Sequence, residues 1–289
     1  MAPESLRPGS GTRRLRHILT GLGGLIAAGL LCTGQVAAQA SDQTRVDVAL
    51  VIAVDVSLSM DLDEQQLQRD GYVAAFRDAE LQRAITSGPY GRIAVTYMEW
   101  AGPSWQSVLI PWTVIDSPAA ARRLADRLAA KPISRERLTS IGTALRVAGS
   151  LLAESGLAAE RRVIDISGDG PNNSGPPAPG ARDALVAEGI VVNGLPIMLK
   201  AASPSFFDLP DLDRYYAGCV IGGPGAFMVP VHQIAELKAA IRRKLLMEVS
   251  SWGVAPPLHP IQVQATDEEP YDCLVGERQW RWYLDEVPN

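Results

Sequence analysis

From residue 46 onward, uninterrupted apolar runs alternate with amphipathic stretches of helical period. This is the pattern of an α/β fold whose parallel strands are buried on both faces. Val46–Val54 is almost wholly apolar, rich in β-branched residues, and ends at Asp55. Glu64–Ala84 predicts one helix with Leu67, Tyr72, Val73, Phe76 and Leu81 on its inner stripe. Gly91–Trp100 and Ser107–Ile115 predict two strands joined through Ala101-Gly102-Pro103-Ser104, too short for a crossover helix, so the pair is antiparallel and forms a sheet edge. Ser117–Ala130 predicts a helix capped by Ser117 with Pro118 in its first turn, and Ser140–Glu154 predicts another. Arg162–Ser167 is a second core strand, followed by a Gly, Asn and Pro-rich loop from Gly168 to Pro179, a helix from Gly180 to about Glu188, and a third core strand Val191–Ile197. Tyr215–Gly225 is expected as a loop, Ala226–Val231 as a final strand and Ile234–Val249 as a closing helix. The expected architecture is a doubly wound, mostly parallel sheet with one antiparallel edge strand and helices on both faces.

After Ser250 the periodicity stops. The tail 251–289 is a Pro-rich extension expected to pack on the main domain, with Trp280, Trp282 and Tyr283 in a strand or turn, the alternative being a partner-binding patch. At the other end, a basic stretch ending at Arg16, the apolar run Ile18–Leu31 and the small residues around Ala38-Gln39-Ala40 have the order of an export signal. Cleavage after Ala40 is expected, with an uncleaved anchor as the alternative. Residues 1–40 are thus a signal peptide and 41–250 the domain, and the protein meets a membrane only through its transient signal. Cys32 follows Leu30-Leu31, which does not fit a lipoprotein cleavage box.

Of the 289 residues, 47% are hydrophobic and 20% charged, which excludes a disordered chain, and the formal net charge is −5. Arg7, Arg13, Arg14 and Arg16 oppose only Glu4 in the first forty residues, so the remainder is more acidic than the whole. That acidity, with no downstream basic stripe, argues against nucleic acid as a partner. Cys32 leaves with the signal, and in an oxidising, periplasmic or secreted, setting Cys219 and Cys273 are expected to pair and tie the tail to the domain; two separate buried thiols are the alternative.

The chemistry concentrates at the carboxyl ends of the strands. Period-two alternation sends Asp55, Ser57 and Ser59 of D-V-S-L-S to one side at the end of the sheet where open α/β folds bind ligands. One carboxylate and two hydroxyls form a hard all-oxygen set suited to Mg²⁺, Mn²⁺ or Ca²⁺. Thr139 precedes a helix in L-T-S-I-G-T-A-L, and Asp169 follows an apolar strand in I-S-G-D-G. Asp61, Asp63 and Glu64 are read as an acidic first helical turn, the alternative being an auxiliary cation site, and Asn172 and Asn173 beside Asp169 as turn formers, the alternative being a place lining the metal face.

With these three segments the chain resembles von Willebrand factor type A domains, over about Val46 to Val249, and most of all a group of bacterial exported proteins of unknown role with a divergent A domain. The resemblance implies a Rossmann-like fold and a metal-ion-dependent adhesion site built from Asp55, Ser57, Ser59, Thr139 and Asp169. The cation implied is Mg²⁺, with Mn²⁺ and Ca²⁺ as alternatives. It also implies adhesion or complex assembly, in which a protein partner presents an Asp or Glu side chain to the cation. One departure stands out: the family commonly has Thr-Asp-Gly at the third segment, and this chain has Gly168-Asp169-Gly170. The rival readings are a metal-dependent phosphatase of the haloacid-dehalogenase type and a degenerate structural domain without metal. The phosphatase needs a second aspartate two residues after the first, where this chain has Ser57, so no enzyme activity is expected.

Overall fold

The computed structural model describes residues 43–199, 208–250, 261–262 (as backbone) and 270–286. The export signal expected over 1–40 lies outside these residues. The strands are β1 Thr44–Asp55, β2 Ile93–Trp100, β3 Gln106–Ile115, β4 Leu157–Gly168, β5 Ile190–Pro196, β6 Phe227–Met228 and β7 Ile261–Gln262. The helices are α1 Leu62–Arg77, α2 Ala79–Thr86, α3 Pro118–Ala129, α4 Ile141–Ala153, α5 Ala178–Ala187, α6 Leu212–Tyr215, α7 Leu237–Val249 and α8 Val275–Glu286. Among the described residues, no helix is long and apolar enough to cross a membrane.

The sheet order is β3-β2-β1-β4-β5-β6-β7. β1 lies inside the sheet, parallel to both β2 and β4, and β2 pairs antiparallel with β3 as the short connection requires. The two-residue β7 adds a second antiparallel neighbour beside β6. Period-two alternation along β1 divides the core: Val48, Leu50, Ile52 and Val54 face the layer containing α1, α3 and α7, while Ala49, Val51 and Ala53 face the layer containing α4 and α5. The doubly wound architecture follows, and the chain leaves β1 toward β2 but returns to β1's other side with β4. That reversal opens a crevice at the carboxyl ends of β1 and β4.

Several elements differ from expectation for local reasons. The helix expected over Glu64–Ala84 is two, broken at Asp78, whose backbone is extended (ψ 131°) and whose Oδ1 caps α2 by accepting from Glu80 N and Leu81 N at 2.9 and 3.0 Å. Asp61 and Glu64 form a capping box on α1, with bonds of 2.8 and 2.9 Å, consistent with an acidic first turn. Ser117 caps α3 as expected, accepting from Ala120 N. The final strand shrinks to Phe227–Met228, because Pro230 has no N–H to donate, although Val231 N still bonds Pro196 O. The segment expected as a loop after Tyr215 is a π-helical turn, Tyr216–Val220, continuing α6. The tail aromatics lie on a helix, α8, and not on a strand or turn: Trp280 and Tyr283 stack at 5.6 Å as i,i+3 neighbours.

Candidate functional site

β1 is buried from Val46 through Asp55, so its last residue leaves the sheet with its carboxylate already enclosed. Asp55 Oδ1 accepts from Ser57 N at 2.7 Å, bending the chain so that Ser57 and Ser59 face the same way. Ser57 Oγ lies 2.6 Å from Ser59 Oγ, and Ser59 Oγ donates to Asp169 Oδ1 at 2.6 Å, across 110 positions of sequence. Arg135 holds this loop from outside, donating to Met60 O and Leu58 O at 3.2 and 3.0 Å.

Thr139 is buried beside the same crevice. Its segment turns through Leu138, whose φ of 69° is the one positive value at a non-glycine residue among those described. A β-carbon on Gly102 would stand 2.7 Å from Arg137 O and 3.1 Å from Leu138 Cβ, so the loop can lie this close to β2's end only because residue 102 is glycine. Asn173 locks Thr139 to the Asp169 loop in both directions: Thr139 N donates to Asn173 Oδ1 and Asn173 N donates to Thr139 O, each at 2.9 Å. Asn172, fully buried, accepts from Gly142 N at 3.1 Å and donates to Glu277 Oε1 of α8 at 2.7 Å. Both asparagines thus act as ties between loops, a role that turn propensity does not reveal.

All five expected ligands come to one place. Ser57, Ser59, Thr139 and Asp169 line a cavity of about 480 Å³, with Asp55 buried at its base beside Ser57. Arg137, Asp208 and three side chains of α8, Gln279, Trp280 and Tyr283, complete the wall. Among the described residues no three His, Cys, Asp or Glu side chains cluster to hold a metal; the set here is two carboxylates and three hydroxyls. It nonetheless fits a small hard cation. Octahedral Mg²⁺ with ligands at about 2.1 Å sets neighbouring oxygens about 3 Å apart. The Ser57, Ser59 and Asp169 oxygens already stand at 2.6 Å and need separate only slightly.

Residues 45–252 match the family described as "Protein of unknown function (DUF1194)". The chain belongs to this family. No curated relative matches the sequence. Among solved structures, the DUF1194 chain is similar to proximal thread matrix protein 1 from the mussel byssus, at 12% identity and TM-score 0.52, over 72% of this chain and 49% of that one. It is similar to the pilus adhesin SpaC from Lactobacillus rhamnosus GG at 12% identity and TM-score 0.52, over 71% and 31% of the two chains. A von Willebrand factor type A protein from Catenulispora acidiphila aligns at 17% identity and TM-score 0.48, over 71% and 43%. The mussel protein has also been solved with a zinc-occupied MIDAS motif. The DUF1194 chain spans about half the length of the mussel protein and under a third of the adhesin. The mussel matrix protein and the pilus adhesin share its fold.

Outside the sheet and its flanking helices lies α8, against the cavity. Cys219 in the π-helical turn is bonded to Cys273, two residues before α8, with the Cα atoms 5.5 Å apart. Gly276 lies so close to the Asp169 loop that a β-carbon there would meet Asn172 O at 2.2 Å, and Tyr271 packs edge-on against Tyr215 at 6.0 Å. The bridge therefore fastens the cavity's outer wall to its floor. Replacing both cysteines with serine opens a loop of 54 residues, and is expected to lower stability by about 2–4 kcal/mol. Hydrogen exchange should show the loss of protection concentrated in residues 270–286, with β1 amides unchanged; uniform loss across the sheet would refute this local role.

Proposed function

We propose that this DUF1194 protein is an exported binding module that holds a divalent cation between Asp55, Ser57, Ser59, Thr139 and Asp169 and recognises a carboxylate of a protein partner there. The observation that supports it is the convergence of Ser57, Ser59 and Asp169 oxygens from two distant loops at the strand-order reversal. When bound, the cation supplies a Lewis-acidic position that one more carboxylate can fill. The chain's residues set the remaining terms. Two carboxylates offset a +2 charge and the hydroxyls add none, so the occupied site stays receptive to an anion. Mg²⁺ suits this hard, compact set best.

The names of the similar proteins, a byssal thread matrix protein and a pilus adhesin, are in keeping with a binding role outside the cytoplasm, as is the Cys219–Cys273 bridge. α8 refines the partner. A cavity of about 480 Å³ walled by Trp280 and Tyr283 is of the size that encloses a small ligand rather than a flat protein face. The carboxylate then arrives on a protruding segment. Ser57, where a haloacid-dehalogenase-type phosphatase needs its general acid, counts against hydrolysis.

Calorimetric titration with Mg²⁺, Mn²⁺ and Ca²⁺ tests the reading. One site per chain is expected, abolished by EDTA. The hydrogen bonds from Ser57 through Ser59 to Asp169 also satisfy one another without an ion. No heat from any ion at millimolar concentration would favour the purely structural role.

A further inference from the structure

The third motif carries Gly168 where the A-domain pattern has threonine, and the structure shows what fills the space. A β-carbon on Gly168 would stand 2.9 Å from Asp55 Oδ2 and 3.0 Å from the hydroxyl of Tyr216. The two oxygens thus flank one point and lie no more than about 6 Å apart. That separation admits a direct approach after a small shift, or one bridging water at about 2.8 Å from each. A second glycine makes room for the ring: a β-carbon on Gly194 would meet Tyr216 Cδ1 at 2.7 Å.

Tyr216 is fully buried, yet its hydroxyl has no hydrogen-bond partner. Buried hydroxyls without partners are uncommon and destabilising, and their persistence calls for a reason. A phenol ordinarily carries its proton at neutral pH, so the Tyr216 hydroxyl can act as a donor. Tyr216 also opens the π-helical turn that carries Cys219. Such turns are frequent where a side chain must be aimed at a functional site.

We infer that Tyr216 is a positioning residue of the cation site, its phenol taking the place of the missing side chain at 168 and, only once a cation is bound, holding the inner oxygen of Asp55, directly or through one water. The inference rests on the cation reading of the site. It explains the departure at Gly168: a side chain there would displace both Asp55 and the phenol, so glycine at 168 and tyrosine at 216 form a matched pair.

The test is Tyr216→Phe in the full chain, which deletes only the hydroxyl, read by calorimetry with Mg²⁺ and by metal-free thermal melting. Cation affinity should fall tenfold to a hundredfold, as for outer-shell partners of metal ligands. The metal-free melting temperature should equal or exceed that of the wild type, because an unpartnered hydroxyl has gone. Tyr215→Phe is the control: the Tyr215 hydroxyl accepts from Asn172 N at 3.1 Å, so its loss should lower the melting temperature. Unchanged Mg²⁺ affinity in Tyr216→Phe overturns the inference while leaving the cation site standing. A fall in its metal-free melting temperature also overturns it, since the hydroxyl would then serve the fold. No heat from the wild type sinks the inference and the cation reading together.

Discussion

Lys244→Met should lower the unfolding free energy by about 3–5 kcal/mol, the loss expected when one partner of a buried ion pair is removed. Lys244 is 1% exposed. Its Nζ lies 2.7 Å from Asp165 Oδ1 on β4 and 2.7 Å from Glu248 Oε1 one turn along α7, and sits over the Phe227 ring at 5.0 Å. Asn193 Nδ2 donates to the other Glu248 oxygen at 2.8 Å, and Arg161 donates to the Glu248 backbone carbonyl. Methionine fills the volume but leaves two enclosed carboxylates without their cation. Burial already pushes Asp165 up to about 6, despite the lowering effect of Lys244. Without the lysine it moves higher.

The sign with pH follows. A carboxyl whose folded pKa exceeds its unfolded value holds more protons in the native state, so its effect on stability worsens as pH rises through that window. Denaturant melts of Lys244→Met should therefore show a deficit that is largest at pH 8 and shrinks toward pH 5. Neutralising the partners as well, with Asp165→Asn and Glu248→Gln, should recover much of it. A pH-independent deficit below about 1 kcal/mol would mean that the three charges contribute little to the fold.

The sheet was legible because β-branched apolar runs such as Val46–Val54 and Arg162–Ser167 have few other ways to be buried. The antiparallel edge followed from the short link after Trp100. Helix ends were less legible: Asp78 sits inside an amphipathic stretch, and only its preference for capping two N–H groups splits α1 from α2. Trp280, Trp282 and Tyr283 read as a strand or turn because no apolar helical period leads into them, while the stacking of Trp280 on Tyr283, which marks a helix, is visible only in three dimensions. At the candidate site, D-x-S-x-S, Thr139 and Asp169 stand out in the sequence as oxygen donors beside strand or helix ends, and the fold brings them to one cavity. Asn172, Asn173 and Tyr216 do not stand out in this way. Their contributions depend on which loop the fold brings opposite, through contacts between separate segments spanning 30 to 105 positions for the bonds of Asn172 and Asn173.

Buried charge raises the same question at the strand ends as beneath α7, with a different answer. Lys244 compensates Asp165 and Glu248 permanently. Asp169 lines the cavity and Asp55 lies buried at its base, where the proposed cation would compensate them.

Asp55→Asn should abolish measurable cation binding, a loss of at least about a hundredfold that exceeds the effect expected of outer-shell partners. The substitution is chosen because the amide keeps an acceptor for Ser57 N, so the loop need not rearrange, while the buried negative charge is lost. Ser59→Ala makes the comparison quantitative. It removes a neutral ligand and the 2.6 Å bond to Asp169, and should weaken binding by only about tenfold, since one charge-bearing ligand remains at each side of the site. Asp169→Asn should fall between the two, because Asp169 lines the open cavity whereas Asp55 is enclosed, and a charge interacts more strongly where water is excluded. The order Asp55→Asn, Asp169→Asn, Ser59→Ala, from most to least damaging, is the signature to be read by calorimetry with Mg²⁺ or by Mn²⁺ titration. Equal, small effects from all three would indicate a cation held elsewhere, and wild-type affinity in Asp55→Asn would remove β1 from the site altogether.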